Sequence, residues 1–214
     1  MLTLYYSPGA CSMAPHIALE EAGARFDAKA ISLKRGDQRQ PAYLALNPKG
    51  KVPLLLVDGR PLTENLAILT YIARTHPEAK LLPAGNPEAE AQAASFLAWL
   101  TATVHPTLGR FFGPQRYTDL PNSADNVKKL AAQQTAESFA LIEKQLEGRD
   151  WALGDYSVAD AYLYVFQRWA RALQLDLAPF ENYNAHYERM EKRPAVRRML
   201  EREEKAQLDL EKAA

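Results

Sequence analysis

The sequence predicts an α/β domain followed by an all-helical domain. Up to about Glu78, short apolar runs alternate with turn residues, whereas beyond residue 87 no segment has the pattern of a strand. A connector rich in proline and glycine, Leu82–Pro87, joins the two parts, and such a composition is typical of a domain boundary. We therefore predict one domain over residues 1–80 and a second over residues 87–214.

The first domain is predicted to form a small mixed sheet. Its opening order of strand, helix and strand favours parallel pairing, and a later pair of strands around Asp58-Gly59 predicts an antiparallel hairpin. Ser12 is expected to cap the first helix with its side chain, and Gly23 to end it. The predicted strands are Leu2–Tyr6, Phe26–Ile31, Val52–Val57 and Arg60–Thr63, and the predicted helices begin at Ser12 and Glu64.

The second domain is predicted to be a helical bundle, because long segments with helical periodicity follow one another there. The stretch from Ser157 to Asp160 has the pattern of a capping box, which we interpret as structural. The predicted helices are Glu88–Phe112, Ser123–Leu146, Ser157–Leu173, Pro179–Arg193 and Ala195–Glu211.

Composition excludes several classes of function. With 47% hydrophobic residues the chain can build a core, and its 26 basic and 26 acidic residues argue against nucleic acid as a partner. No apolar run approaches the ~20 residues that span a bilayer, and we find no signal peptide. The single cysteine cannot form an intrachain disulfide and fits a reducing compartment, so we expect the cytoplasm. The four histidines are scattered, which predicts no metal site.

Cys11 is the first candidate for chemistry, because it falls between a strand and the start of a helix. Backbone N–H groups and the dipole at a helix N-terminus favour a thiolate and lower its pKa from about 8.5. The alternative is that a lone cysteine is a small buried apolar residue. Since Ala14 stands where a Cys-x-x-Cys motif would place a second thiol, disulfide chemistry would need an external thiol.

Further candidates are a proline in a strand, a helix start and a histidine. Val52-Pro53 places proline in an apolar run, which predicts a strand edge whose backbone can pair with an extended peptide. Glu64-Asn65 begins a helix whose N–H groups can hold a carboxylate, although the residues alone favour Thr63 or Asn65 as an ordinary cap, with Glu64 complementing the helix dipole. His105 is either a ligand donor in an interdomain cleft or an ordinary core histidine.

These motifs together resemble the cytosolic glutathione transferases, and most closely the bacterial beta class. The resemblance covers essentially the whole chain, and the first two of its segments are specific in combination. The matching segments are Tyr5–Glu21, Asn47–Pro53 followed by Leu62–Asn65, and Gly154–Leu163.

The resemblance implies a thioredoxin-like N-terminal domain, a helical C-terminal domain, a homodimer and glutathione as co-substrate. It implies a cis peptide bond before Pro53. It also implies a role for each matching residue: Lys51 and Val52 beside the cysteinyl part of glutathione, Glu64 and Asn65 at its γ-glutamyl end, and Cys11, Ser12 and His105 around its sulfur.

Three points of the resemblance are less direct. The glycyl carboxylate usually meets a lysine in the loop after the second strand, where Lys34 and Arg35 both qualify, and we favour Lys34. Family members often carry an asparagine where this chain has Ala98. The second substrate is expected to be a small, often hydrophobic electrophile held by the bundle near residues such as Phe111, Phe112, Tyr117 and Trp169.

The function implied is glutathione transfer, in which the glutathione thiol is activated to attack the electrophile. Two alternatives stay open. The first is thiol–disulfide exchange through a mixed disulfide between Cys11 and glutathione. The second is a non-enzymatic protein that binds glutathione or another ligand.

Overall fold

The computed structural model describes residues 1–212 and has a four-stranded sheet at the N-terminal end of the chain. The strand order is β2-β1-β3-β4; β1 pairs with β2 in parallel, and the other two pairings are antiparallel. The predicted mixed sheet is thus confirmed. The strands are β1 (Leu2–Tyr6), β2 (Phe26–Ala30), β3 (Leu54–Val57) and β4 (Arg60–Thr63).

The hairpin between β3 and β4 turns at Asp58 and Gly59, as predicted. Both residues have positive φ, 49° and 80°, which is the backbone of the two-residue turns that match the twist of a hairpin. β3 itself begins at Leu54, two residues later than predicted. Pro53 lacks the N–H that a ladder position needs, and the cis bond between Val52 and Pro53 turns the chain before the strand starts.

Helices account for most of the remaining chain. Besides α1 and α3, which pack on the sheet domain, and the short α2 in the loop after β2, the described residues beyond 86 form six helices that make up the predicted bundle. The nine α-helices within residues 1–212 are α1 (Met13–Glu21), α2 (Pro41–Leu44), α3 (Asn65–Thr75), α4 (Pro87–Trp99), α5 (His105–Phe112), α6 (Ala124–Gln145), α7 (Val158–Ala172), α8 (Glu181–Lys192) and α9 (Pro194–Lys212).

The predicted helix from Glu88 to Phe112 is present, but it changes its winding in the middle. A π-helical segment, Leu100–Val104, joins α4 to α5 without a break, and the helix ends at Phe112 before Gly113-Pro114. Segments of this kind are rare and occur mainly at functional positions. Here the segment ends directly before His105, so it sets the direction in which that side chain leaves the helix.

One hydrophobic core runs through both parts of the molecule. Leu4 of the sheet, Ile17 of α1 and Ile68 of α3 belong to the same buried cluster as Tyr162 and Phe166 of α7. Helix α1 lies at its centre and packs against α3, α7 and α9. The N-terminal end of α1 therefore lies at the junction between the sheet domain and the bundle.

The N-terminus of α7 carries the predicted capping box. Ser157 Oγ accepts from the N–H of Ala159, and Asp160 Oδ2 accepts from the N–H of Ser157, at 3.2 and 2.8 Å. Asp160 is fully buried and also accepts from the N–H of Ala152 and from His186 Nε2. Among residues 1–212, no helix has the length and apolar character needed to cross a bilayer.

Candidate active site

Cys11 lies in the turn just before α1, and its thiol is 9% exposed. Sγ donates to the carbonyl oxygen of Val52 at 3.4 Å. The N–H groups of Cys11 and Ser12 and the charge of Lys51 all favour the thiolate, yet burial outweighs them and raises the thiol pKa to about 12. The prediction of a lowered pKa is therefore wrong for the protein without a ligand, and Cys11 is a protonated thiol at neutral pH.

Ser12 does not cap α1, contrary to the prediction. Its side chain turns back to Ser7, accepting from the Ser7 N–H at 3.1 Å and donating to the Ser7 carbonyl at 3.2 Å. Both residues are buried, so this pair fixes the turn that carries Cys11. The consequence is that no side chain within residues 1–212 forms a cap hydrogen bond at the N-terminal end of α1.

The segment before β3 is anchored so that Val52 lies beside Cys11. The carbonyl of Lys51 accepts from the hydroxyl of Tyr43 and from the side-chain amide of Asn47, each at 2.7 Å. The cis bond to Pro53, which the resemblance implied, is present. Because Lys51 and Val52 precede the strand, their backbone is outside the ladder of the sheet.

The start of α3 completes the side of the site that the sheet domain supplies. Glu64 precedes the helix with φ 74°, a left-handed backbone conformation, and its exposed carboxylate meets Lys49 Nζ at 2.5 Å. Asn65 is buried and donates from Nδ2 to the Cys11 carbonyl at 3.2 Å, while its Oδ1 has no hydrogen-bond partner among residues 1–212. Neither Thr63 nor Asn65 caps α3, so the ordinary explanation of this pattern is wrong.

His105 of the helical bundle lies close enough to this part of the sheet domain for the charges of Lys51 and Glu64 to act on it. Its Nδ1 lies 2.6 Å from the hydroxyl of Tyr162, and its ring packs against Phe166 and Trp169. Burial, together with the positive charge of Lys51, lowers the pKa of His105 to about 4. The imidazole is therefore neutral at pH 7.

Family models match both parts of the chain. The model of the glutathione S-transferase N-terminal domain matches residues 1–74, and that of the C-terminal domain matches residues 100–194. Glutathione S-transferase GST-4.5 of Xanthomonas campestris pv. campestris is 36% identical over 190 residues, which is 88% of this chain and 92% of that protein. This chain belongs to the glutathione S-transferase family.

Solved structures of family members share the fold over nearly their whole length. A sphingomonad glutathione S-transferase complexed with glutathione superposes with a TM-score of 0.84 at 38% identity, covering 94% of this chain and 98% of that one. A bacterial beta class enzyme of Sphingomonas chungbukensis gives 0.82 at 37% identity with the same coverage. The thioredoxin-like domain and the beta-class resemblance are thereby confirmed.

The structure leaves the expected partner of the glycyl carboxylate open. Arg35 is bound to Asp37 at 2.9 Å and to the Leu210 carbonyl at 3.4 Å, whereas Lys34 is exposed and makes no hydrogen bond or ion pair within residues 1–212. Lys34 stays a prediction. Ala98 lies exposed on α4, before the π-helical segment.

The aromatic residues expected to hold the electrophile lie at different distances from His105: Trp169 packs on its ring, with centroids 5.2 Å apart, and Phe112 packs on Trp169. Phe112 is 52% exposed and packs edge-on against Trp169, with ring centroids 5.4 Å apart. Tyr117 is also half-exposed, but its ring lies under Arg110. Within residues 1–212, no group of three or more histidine, cysteine or acidic side chains is arranged to hold a metal.

Sequence reasoning missed the side chains by which the bundle holds the Cys11 turn. Trp169 Nε1 donates to the carbonyl of Gly9, and Glu203 Oε2 accepts from the N–H of Gly9, both at 2.8 Å. Glu203 is buried and also contacts His16 Nδ1 at 3.2 Å. It stands in a helix crowded with charged residues, so nothing in the sequence pattern marks it, whereas Tyr162 is hidden in an apolar helix face.

Proposed function

We propose that the protein is a glutathione transferase that activates the glutathione thiol for attack on a small electrophile. The observation that carries this is that the starts of α1 and α3, neither with a side-chain cap, meet beside Val52 through the hydrogen bond from Asn65 to the Cys11 carbonyl. Neutral His105 of the bundle is close enough for the charges of Lys51 and Glu64 to act on it. Membership in the family supports it, as does the glutathione bound to the sphingomonad relative.

Each part of glutathione has a complementary group in this arrangement. The γ-glutamyl carboxylate would lie at the open N-terminus of α3, beside Glu64 and Asn65. The cysteinyl part would pair with the backbone of Val52, as an added strand does. The Val52 carbonyl is now the acceptor for the Cys11 thiol, so glutathione would replace that hydrogen bond with its own N–H. Lys34 would meet the glycyl carboxylate, and Lys51 adds positive charge beside the sulfur.

The glutathione sulfur would then lie near the N–H groups of Cys11 and Ser12, which favour a thiolate. After the thiol proton leaves to solvent, the thiolate attacks the electrophilic carbon. A C–S bond forms, and the leaving group departs with the electron pair of its former bond. We place the electrophile against Phe112 and Trp169, next to His105.

Two assays test the proposal. Glutathione should bind in calorimetry, and conjugation of a chlorodinitrobenzene should proceed above the uncatalysed rate. Asn65→Ala should weaken glutathione binding, because it removes a buried amide from the site, whereas Asn126→Ala on exposed α6 serves as the matched control. No rate above background with several electrophiles would contradict the proposal. Absence of glutathione binding, with a protein partner retained, would favour a non-enzymatic binder.

Thiol–disulfide exchange is the second candidate, favoured by the position of Cys11 Sγ at the Val52 carbonyl, where the glutathione sulfur is expected. In this step the Cys11 thiolate would attack a glutathionyl disulfide, releasing one thiol, and a second glutathione would restore Cys11. Since the buried Cys11 is protonated, we expect conjugation to be the main activity.

The variant Cys11→Ala separates the two activities. We expect it to keep most of the conjugation rate and to lose the reduction of a glutathionyl mixed disulfide, with Cys11→Ser as the control that restores a small polar group. Loss of conjugation in both variants would show that the thiol itself takes part in transfer. Retention of both activities would make Cys11 a bystander.

We also propose a homodimer and a cytoplasmic location, and domains over residues 1–80 and 87–214. Family membership supports the homodimer, and the lone free cysteine supports the cytoplasmic location. Light scattering after gel filtration tests the dimer, and a protein that runs as a monomer at micromolar concentration would contradict it.

A further inference from the structure

We propose that Tyr162 is a positioning residue that holds His105 in the tautomer whose Nε2 carries the proton, so that His105 presents an N–H donor to the site. This inference deepens the proposed function and rests on it for its catalytic meaning. The structural part of the proposal, that the imidazole has a fixed tautomer, does not depend on the protein having any activity.

The geometry of the pair fixes the direction of the hydrogen bond. Tyr162 is fully buried on α7, and its oxygen lies 2.6 Å from Nδ1 of His105. Within residues 1–212 no acceptor other than Nδ1 lies within hydrogen-bond distance of the tyrosine O–H. A buried O–H without an acceptor is costly, so the O–H donates to His105 and Nδ1 accepts.

Both groups are neutral over the pH range in which the protein would work. Burial lowers the pKa of His105 to about 4 and raises the pKa of Tyr162 above its usual range. A neutral imidazole carries a single ring proton, so accepting at Nδ1 places that proton on Nε2.

The remaining ring nitrogen, Nε2, has no hydrogen-bond partner within residues 1–212, and His105 is only partly buried, so Nε2 is available to a ligand. Phe166 and Trp169 pack against the ring, and Tyr162 takes Nδ1. The charges of Lys51 and Glu64 both act on the imidazole, which places it among the groups proposed to bind glutathione. An N–H at Nε2 would stabilise a thiolate there, whereas the other tautomer would present a lone pair and repel it.

The direct test is nitrogen NMR of the imidazole in ¹⁵N-histidine-labelled protein, with His105→Gln used to assign the signals. We expect a protonated Nε2 and an accepting Nδ1 in the native protein, and a shift toward a mixture of tautomers in Tyr162→Phe. A protonated Nδ1 in the native protein, or an unchanged tautomer in the variant, would overturn the proposal.

The matched control is Tyr183→Phe, which also removes a buried hydroxyl from the bundle. Tyr183 donates to the Leu163 carbonyl at 2.6 Å, with no contact to His105. It should lower stability without changing the His105 signals. If Tyr183→Phe shifts the tautomer as much as Tyr162→Phe does, the effect is general loosening of the bundle and the proposal fails.

Steady-state kinetics provides a second test of the proposal. Tyr162→Phe should lower kcat about tenfold, the equivalent of one hydrogen bond, and raise the apparent pKa of bound glutathione in the pH–rate profile, with little change in KM for glutathione. The double variant with His105→Ala should be no slower than His105→Ala alone, since Tyr162 acts through that ring. Additive losses would overturn the proposal. A native protein without transferase activity would refute the proposed function while leaving the NMR result interpretable.

Discussion

Helix α7 begins with a side-chain cap, whereas helices α1 and α3 begin without one. At α7 the first donors are all satisfied: the N–H of Val158 bonds to the Leu81 carbonyl, that of Ala159 to Ser157 Oγ, and that of Asp160 to the Ser157 carbonyl. A buried carboxylate then closes the box. This helix start leaves no donor in its first turn for a ligand, and its role is to hold the bundle together.

At α3 the corresponding donors are left open, since the N–H groups of Asn65, Leu66 and Ala67 find no acceptor within residues 1–212. Helix α1 lacks only a side-chain cap, because its first N–H groups, those of Met13 and Ala14, bond to backbone carbonyls. In the turn before α1, the N–H groups of Cys11 and Ser12 favour a negative charge on the Cys11 sulfur. Unsatisfied helix N-termini are suited to anions. The difference teaches that the capped start of α7 serves structure, whereas the open start of α3, together with the Cys11 turn, forms the candidate site for an anionic peptide.

The largest expected effect on stability comes from removing Asp160, the carboxylate of the α7 capping box. Asp160→Ala removes the acceptor for Ala152, Ser157 and His186, and should lower the free energy of unfolding by about 3–5 kcal/mol, as loss of a buried charged partner does. Urea unfolding measures it. Asp125→Ala, an exposed acid in the first turn of α6, is the control and should cost no more than about 1 kcal/mol.

The distinction between the start of α7 and the starts of α1 and α3 fails if Asp160 also contributes to glutathione binding. Where the variant is still folded, its affinity for glutathione should equal that of the native protein, because the α7 box presents no open donor. A clear loss of affinity under those conditions would mean that the two kinds of helix end are not separate in function.

An intermediate effect is expected from His105 when the pH is lowered. Its pKa is about 4 in the folded protein against about 6.5 when unfolded, so the unfolded chain binds a proton first as the pH falls. Its neutral form therefore contributes stability that is present above pH 6.5 and is lost between pH 6.5 and 4, on the order of 3 kcal/mol. His105→Gln should flatten this part of a stability–pH curve, whereas the control Asn126→Ala, at an exposed residue that does not titrate, should not. Equal slopes in all three proteins would contradict the burial of His105.

Features carried by local pattern were predictable from the sequence. β1 and the hairpin turn at Asp58-Gly59 depend on residue types a few positions apart, and so does the capping box of α7. The segments around Cys11, Val52 and Glu64 were likewise found in sequence, because each combines turn residues with a helix or strand start. Which of these segments meet was implied by the resemblance and not by their spacing.

Features set by the tertiary environment were not predictable. Ser12 has the residue type of a cap, yet Ser7 offers its side chain both a donor and an acceptor in a buried turn. The pKa of Cys11 depends on how closely the bundle covers it, and burial reverses the expected direction. Tyr162 reaches His105 from a helix 57 residues away in sequence, so no local pattern indicates the pair.

The smallest expected effect on stability concerns Glu64, which precedes α3. Glu64 holds φ 74°, a conformation that costs an ordinary residue about 1–3 kcal/mol and glycine far less. Glu64→Gly gives up the exposed pair with Lys49, worth little, so we expect the unfolding free energy to rise by about 0.5–1 kcal/mol while glutathione affinity falls. Ser157→Ala at the capped end of α7 should change stability in the other direction, by about 1 kcal/mol, with affinity unchanged. If Glu64→Gly instead destabilises the protein, then the start of α3 contributes to stability as that of α7 does, and its open donors no longer distinguish a binding site.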